Sequence, residues 1–417
     1  MKDSIITGLD LGSTAIRLVV GQLFSDGGER KLQLLGAVEH PSEGISRGSI
    51  TSIDDAANAI SACLEKAERI TGMPIDTAWV GISGTTIMSQ SSRGVVAVGK
   101  INGEISKPDL ERALEAARAI ATPPNYEILH VIPRGAIIDG QIQIKDPIGM
   151  TGTRLEVDTL IIQAFTSEIR NYTKCIYRTG LEIEDLVFSI LATAEGVMTA
   201  RQKELGAVLI NIGKSITTMV VYEGGELIHT AVLPIGSDHI TQDIGIGLKV
   251  SPDTAEKIKL DYGSIFLREA DRKAEIDLSL IDAEEEGHVT VKYVSQIIEA
   301  RVEEIFEKIE GELKKIGKAG ILPAGCILTG GGSKLAGMLD MAKKCLKLPA
   351  SYACVKNIVN PMEKVFDQSY ATAIGLAFWG LSFYQNKARG GAGFLSNLDD
   401  SLDIKGRVNK WFKSLLP

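Results

Sequence analysis

The sequence predicts an α/β protein whose core is duplicated, and two observations support this. The stretch LDLGSTAIRLVVGQ, which starts at Leu9, is matched at a constant offset of 201 residues by INIGKSITTMVVYE, which starts at Ile210. Each copy is an apolar strand, a tight turn with glycine and a small hydroxyl residue, and a second apolar strand. A third glycine turn follows in GCILTGGGSKLAGM, residues 325–338, which predicts a strand, three glycines and a helix opened by Ser333.

The repeated turns are candidates for binding phosphate. The aligned pairs are Asp10 with Asn211, Gly12 with Gly213, and Thr14 with Ser215. Two such turns facing each other can hold a phosphate chain through their N–H groups, with Asp10 placed for a hydrated Mg²⁺. The alternative is a pair of ordinary hairpins, since Gly-Ser turns are common. The constant offset favours a duplicated nucleotide-binding core.

The stretch NIGKSITT, residues 211–218, contains Gly-Lys-Ser but is not a Walker A loop. Such a loop needs a glycine five positions before the Gly-Lys pair, where this chain has Val208. It also needs a following helix that directs its N–H groups at phosphate, whereas ITTMVVY is β-branched and predicts a strand.

Composition excludes several classes of protein. The 417-residue chain has a formal net charge of −8, which does not suit nucleic acid as a partner. Its five cysteines include no C-x-x-C pair, which argues against a metal knuckle or disulfide scaffold and suits a reducing cytosol. No signal peptide is expected, and no apolar run of about 18 residues predicts a membrane span.

The order of the three glycine turns resembles the actin, DnaK-type chaperone and sugar-kinase superfamily. The resemblance implies an actin-like ATPase fold, in which two RNase H-like halves clamp ATP and Mg²⁺ in a central cleft. It implies a first phosphate loop at Gly12, Ser13 and Thr14, with Asp10 facing the magnesium waters and Arg17 where many relatives place a lysine. It implies a second phosphate loop at Asn211, Gly213, Lys214 and Ser215. It also implies an adenosine site at Gly330, Gly331, Gly332 and Ser333, bordered by Glu256 and Lys259.

The same resemblance places Glu195, in ATAEGVM, where filament-forming members carry the residue that orients the attacking water. The alternative is a partly exposed helix carboxylate. The second phosphate turn departs from the superfamily pattern D-x-G-G-G-T, because Asn211 replaces the carboxylate while Lys214 and Ser215 replace glycines. Lys214 either contacts a phosphate or occupies the place of the metal. We therefore predict ATP binding with very slow or absent turnover.

The segment EILHVIPRGAIIDGQIQIKDPIGMTGTRLEV, residues 127–157, is similar to the inserted subdomain of the FtsA family of bacterial division actins. The strands and the helix SKPDLERALEAARAIA around it predict a small α+β insert over 84–165. The resemblance implies that this insert mediates self-association and contacts with later division proteins. His130 is interpreted as a structural residue, since no second His or Cys is nearby in sequence.

A long amphipathic helix is predicted in VSQIIEARVEEIFEKIEGELKKIG, from Val294 onward. In the FtsA family this region receives the C-terminal peptide of the tubulin-like FtsZ. The resemblance makes Arg301 and Glu304 candidate contacts for that peptide. The alternative is an ordinary ion pair between residues three apart on a helix.

The last stretch, IKGRVNKWFKSLLP, predicts an amphipathic helix that lies on anionic lipid. On such a helix, one stripe is apolar and consists of Ile404, Val408, Trp411, Phe412, Leu415 and Leu416. The basic residues are Arg407, Lys410 and Lys413. The stretch contains no acidic residue and follows a Gly/Ala/Asp-rich linker. The alternative is a helix docked on its own core or on a partner.

These predictions combine into an FtsA-like protein at the cytoplasmic face of the cell membrane, at mid-cell, which self-associates into filaments and tethers FtsZ. The predicted regions are residues 1–83, 166–203 and 360–384 for the first half; 84–165 for the insert; 204–359 for the second half; 385–403 for a flexible linker; and 404–417 for the membrane helix. The alternative hypotheses are a PilM-like scaffold, a small-molecule kinase and a DnaK-type chaperone.

Overall fold

The computed structural model describes residues 5–26, 29–119, 122–141, 143–355, 358–359 and 362–388. The strands are β1 (Ile5–Leu11), β2 (Ala15–Asp26), β3 (Glu29–Pro41), β4 (Ile45–Ser46), β5 (Ser49–Ile50), β6 (Thr77–Ile82), β7 (Met88–Ala97), β8 (Tyr126–Ile138), β9 (Gln143–Ile144), β10 (Arg154–Phe165), β11 (Glu182–Phe188), β12 (Ala207–Ile212), β13 (Thr217–Glu223), β14 (Glu226–Leu233), β15 (Glu275–Asp277), β16 (His288–Thr290), β17 (Gly325–Thr329), β18 (Ala350–Tyr352) and β19 (Ile358–Val359). The helices are α1 (Ile53–Thr71), α2 (Lys107–Arg118), α3 (Thr166–Tyr177), α4 (Ser189–Val197), α5 (Ala200–Leu205), α6 (Ser237–Leu248), α7 (Pro252–Tyr262), α8 (Val291–Lys315), α9 (Met338–Leu346) and α10 (Ala371–Ala388).

Two sheets of the same topology form the core. The first has the order β11-β6-β1-β2-β3-β19 and the second the order β14-β13-β12-β17-β18. In each, three antiparallel strands are followed by two strands that run parallel to the first of the three. The first sheet has β19 as an additional edge strand, parallel to β3. Helices α1 and α10 pack on the first sheet, and α8 packs with α6 and α9 in the second half. The predicted actin-like α/β fold with two similar halves is therefore confirmed.

The register shows that the sequence repeat is also a structural repeat. Asp10 lies opposite Arg17 on the antiparallel neighbour and opposite Gly81 on the parallel neighbour. Asn211 lies opposite Thr218 and Thr329 in the same way. The two aligned residues thus occupy equivalent positions at the ends of the central strands.

The insert is a four-stranded sheet of order β7-β10-β8-β9 with α2 on one face. YEILHVIP and the start of GAIIDGQIQI form one strand, β8, because bulges in its pairing with β10 absorb the irregular residues. The insert is tied to the core by buried His130, whose Nε2 accepts a hydrogen bond from the Phe188 N–H at 2.9 Å. Burial lowers the pKa of His130 to about 4, so the ring is the neutral acceptor that its structural role requires.

Helices α4 and α10 join the two halves and cross at glycines. A Cβ on Gly196 would lie 2.9 Å from the Cα of Gly375, and a Cβ on Gly375 would lie 2.2 Å from the carbonyl oxygen of Ala192. Near the same crossing the hydroxyls of Thr193 and Thr372 are 3.1 Å apart and buried. The glycines of α4 and α10 at this crossing therefore allow close backbone contact.

Three sequence predictions were wrong in detail. Ser333 does not open a helix: residues Gly331–Lys334 form a 3₁₀ turn, and α9 begins only at Met338, after the left-handed Gly337. Strand β19, assigned to the second half, pairs with β3 of the first sheet. Helix α10 continues to Ala388, so 385–388 do not belong to a linker. The predicted membrane helix, 404–417, lies outside the described residues.

Candidate functional site

The first glycine turn connects β1 to β2 and leaves no space for a side chain at Gly12. A Cβ there would lie 2.8 Å from the carbonyl oxygen of Ala15. The hydroxyl of Ser13 accepts a hydrogen bond from the Gly48 N–H at 3.4 Å, and Thr14 is exposed. Asp10 is the last residue but one of β1, and burial raises its pKa to about 6 although Arg17 opposes the shift.

The second turn, between β12 and β13, repeats this geometry. A Cβ on Gly213 would lie 2.9 Å from the carbonyl oxygen of Ile216, just as Gly12 approaches Ala15. The N–H groups of Ser237 and Asp238, which begin α6, donate to the carbonyls of Gly213 and Lys214 at 2.9 and 2.8 Å. These bonds fix the turn against the start of α6, and Lys214 is exposed to solvent.

Asp10 and Asn211 each face a connecting helix. A Cβ on Gly81 would lie 2.8 Å from Ser189 Oγ, at the start of α4, and 3.7 Å from an oxygen of Asp10. Asn211 Nδ2 donates to Thr372 Oγ1, at the start of α10, at 3.3 Å. The structure thus places the two turns at equivalent ends of the helices that join the halves.

The triple-glycine turn lies directly beside the second phosphate turn. Gly330 has a φ of 88°, and a Cβ there would lie 2.2 Å from Asn211 Oδ1. A Cβ on Gly332 would lie 2.7 Å from Ile212 Cγ2. The buried Ser333 hydroxyl donates to the Gly330 carbonyl at 2.7 Å, so Ser333 shapes the turn and Gly331 is the exposed glycine.

Glu256 and Lys259, predicted at the ribose and adenine, form a network beside this turn. Lys259 Nζ donates to Glu256 Oε2 at 2.6 Å and to Thr241 Oγ1 at 2.8 Å. Lys259 also approaches the Ser237 carbonyl at 3.4 Å, and a Cβ on Gly332 would lie 3.1 Å from Ser237 Cβ. The structure therefore brings α6, α7 and the triple-glycine turn together on the second half.

Two of the predicted site residues are engaged elsewhere. Arg17 Nε pairs with Glu39 at 3.2 Å, and its guanidinium lies over the ring of Tyr370 at 5.6 Å. Glu195 is exposed and pairs with Lys203 at 2.5 Å.

Lys203 in turn lies over the ring of Tyr222, which pairs with Ala207 at the end of β13 opposite to the glycine turn. The structure does not bring Glu195 to the turns, and its catalytic role remains a prediction.

Comparison with known proteins identifies the family. Residues 208–375 match the family model "Cell division protein FtsA", and residues 84–163 match the model "SHS2 domain inserted in FTSA". The chain is 35% identical to the FtsA of Bacillus subtilis over 90% of its own length and 83% of that protein. It is 32% identical to the FtsA of Pseudomonas aeruginosa over 90% of its own length and 89% of that protein. The chain belongs to the FtsA family of cell division proteins.

Solved structures agree with this FtsA-family assignment at the level of fold. A PilM–PilN type IV pilus biogenesis complex aligns with a TM-score of 0.65 at 17% identity, covering 90% of this chain and 98% of that one. MreB5 of Spiroplasma citri bound to ADP aligns with a TM-score of 0.56 at 12% identity, covering 92% and 98%. Identities this low show a shared fold and nothing more specific.

The sequence of this FtsA-family chain did not reveal that a hairpin covers the first turn. Strands β4 and β5 hold Gly48 against Ser13, and the buried hydroxyl of Tyr172 donates to the Gly48 carbonyl at 2.7 Å. Tyr172 is 124 residues from Gly48, so no local pattern links them. The sequence did contain one local indication of this hairpin, because the glycine of the Arg-Gly pair at positions 47 and 48 favours a turn.

The residues of the cleft fit a polyphosphate and a hydrated cation. Glycines at 12, 213, 330 and 332 leave room only for backbone, which suits the close approach of a ligand. Hydroxyls and the Lys214 ammonium suit phosphate oxygens, and Asp10 suits the water shell of Mg²⁺. In the part of the chain that the structure describes, no group of three His, Cys, Asp or Glu side chains could hold a metal ion.

The candidate peptide contacts lie elsewhere, on α8. Arg301 binds both oxygens of Asp243 on α6, at 2.5 and 2.8 Å, and also pairs with Glu304. The ion pair expected as the alternative is therefore present, and a contact with a peptide remains a prediction. Among the described helices, none combines the length and apolar character needed to cross a membrane.

Proposed function

We propose that this FtsA-family chain binds ATP with Mg²⁺ in the cleft, polymerises on the cytoplasmic face of the cell membrane at the division site, and tethers FtsZ filaments there. The observation that carries the nucleotide part is the pair of equivalent glycine turns, which face the connecting helices through Asp10 and Asn211. Bound ADP in a structure of the same fold, MreB5 of Spiroplasma citri, supports a nucleotide in this cleft.

Contacts with later division proteins would use the insert, and the FtsZ peptide would bind near Arg301 and Glu304. Support for the insert's role is the SHS2 family match over 84–163. Support for the peptide site is a charged surface on α6 and α8, where Arg301 is fixed by Asp243 and is 24% exposed in its side chain.

ATP turnover is expected to be slower than about one per second, below ordinary enzyme rates. The reason is that Asn211 lacks the charge that holds a metal-bound water, and Lys214 introduces a cation at the turn. Steady-state phosphate release in the presence of Mg²⁺ measures this. Release at several per second by the wild-type chain would contradict the proposal.

A double variant, Asn211→Asp with Lys214→Gly, is expected to raise turnover because it restores the superfamily pattern at both positions. Lys347→Gly is the control: it removes an exposed lysine just after α9, where glycine accepts the left-handed φ of 55°. It should leave turnover unchanged.

Flotation with anionic phospholipid vesicles and FtsZ filaments tests the membrane and tethering parts together. The full-length chain is expected to carry FtsZ to the vesicles. Deleting 404–417, or changing Trp411 and Phe412 to glutamate, should abolish flotation of both proteins, since each basic residue near the lipid contributes about 1 kcal/mol and the apolar stripe adds more.

Phe366→Glu is the control for that experiment, because it places the same acidic residue at an aromatic side chain that is 61% exposed in the described part of the chain. It should float with FtsZ like the wild type. Vesicle binding by the truncated chain would refute the membrane anchor. Flotation of the full-length chain without FtsZ would refute only the tethering.

A further inference from the structure

The hairpin that covers the first turn has an unusual residue at its tip. Ser46 pairs with Ser49, so Arg47 and Gly48 form a two-residue loop, and their φ angles are 52° and 76°. Positive φ at both positions defines a turn that strongly favours asparagine or glycine at the first of them. Arginine there is conformationally unfavourable, and such outliers concentrate at functional sites.

Contacts of Gly48 fix the position of this tip against the first turn. Its N–H donates to Ser13 Oγ at 3.4 Å, and a Cβ on Gly48 would lie 2.5 Å from the Ser83 carbonyl oxygen. The Gly48 nitrogen is bonded to the carbonyl carbon of Arg47, so the Arg47 Cα lies only about 2.4 Å from that nitrogen. The arginine side chain is long enough to reach a phosphate held at Ser13.

Arg47 is available for such a contact. It is exposed, and it forms no hydrogen bond or ion pair with the residues that the structure describes. Arg17, which stands where many relatives place a lysine, is held by Glu39 and Tyr370. The nearby carboxylate of Glu168 bonds Ser49 and not Arg47: it accepts a hydrogen bond from the Ser49 hydroxyl at 2.9 Å.

We propose that Arg47 binds the terminal phosphate of a nucleoside triphosphate whose phosphate chain lies at the first turn. This inference rests on the proposed nucleotide site. The residues predicted to border the base and ribose all lie on the second half, whereas Ser13 and Arg47 lie on the first. The end of the phosphate chain farthest from the base therefore meets Arg47, which suits the planar guanidinium.

Calorimetric titration of Arg47→Asn with ATP, ADP and AMP, in the presence of Mg²⁺, tests the proposal. We expect ATP affinity to fall roughly tenfold to a hundredfold, the range for a hydrogen bond between charged groups, while AMP affinity stays within about twofold. The nucleotide-free variant should melt at a higher temperature than the wild type, because asparagine accepts the left-handed conformation more readily. Arg47→Lys should recover part of the ATP affinity.

Unchanged ATP affinity in Arg47→Asn would overturn the inference. Equal losses for ATP, ADP and AMP together with a lower melting temperature would overturn it as well, since that combination marks a purely structural residue. Failure of the wild-type chain to bind any nucleotide would refute the proposed function itself, and this inference with it.

Discussion

Replacing Gly375 with alanine is expected to lower the free energy of unfolding by about 3 kcal/mol, because the added methyl group has no space. A Cβ at this position would lie 2.2 Å from the Ala192 carbonyl oxygen and 2.8 Å from the Thr193 Cα. Both are backbone atoms of α4, and a packed helix cannot move away from one neighbour without disturbing the others. Urea unfolding followed by tryptophan fluorescence measures the change, since Trp379 is on the same helix, α10.

Gly311→Ala is the matched control, because Gly311 also lies inside a long helix, α8. A Cβ there would meet nothing within 4 Å. The free energy of unfolding should therefore rise by about 0.5–1 kcal/mol, the ordinary gain when alanine replaces an interior helix glycine. A Gly375→Ala variant that gains stability like Gly311→Ala would show that α4 and α10 do not cross in contact.

The close crossing also bears on function. The two halves are joined through α4 and α10, and the first residues of these helices lie at Asp10 and Asn211. A nucleotide bound between the two glycine turns, as proposed, would therefore lie beside the first residues of both connecting helices. Because the crossing is backbone against backbone, rotation there is constrained to a few packed arrangements.

The sequence predicted the duplicated core because the repeat is local and periodic. Both copies place an apolar strand, a glycine and a second strand at the same offset. The helix of the insert was predicted for a similar reason: Ser106 and Pro108 are local start signals, and α2 begins at Lys107.

The hydrogen-bonding partner of an individual side chain could not be predicted in this way. Ser333 has the sequence signature of a helix cap, but its hydroxyl instead bonds the Gly330 carbonyl inside a 3₁₀ turn. Glu195 was placed near the nucleotide by resemblance, yet Lys203, only eight residues away, pairs with it. Such choices depend on which partner the folded chain brings near, and one sequence does not contain that information.

Replacing Asp10 with asparagine is expected to stabilise the nucleotide-free protein at pH 7.5, by about 2 kcal/mol. Burial raises the pKa of Asp10 from its ordinary value of 3.8 to about 6. The folded state therefore disfavours the charged carboxylate, and the difference between these two values corresponds to at most about 3 kcal/mol above pH 6. The chain already carries asparagine at the equivalent position, Asn211, so the substitution fits the site.

The pH dependence distinguishes this cause from better packing. Below about pH 4 Asp10 is protonated in both states and costs nothing, and its cost grows as the pH rises from 3.8 to 6, so the advantage of Asp10→Asn should be present at pH 7.5 and vanish near pH 4. Asp139→Asn is the opposite case, because hydrogen bonds from Thr153 and Arg154 hold the pKa of Asp139 below its usual range. This variant should be less stable than the wild type at pH 7.5, and the difference should shrink as the pH falls. Asparagine tolerates the φ of 49° at this position. An Asp10→Asn variant whose advantage is the same at both pH values would show that the carboxylate is not destabilised by burial.

A confirmed result would mean that the fold keeps a destabilising charge at the first turn, as expected where a carboxylate serves a cation rather than the core.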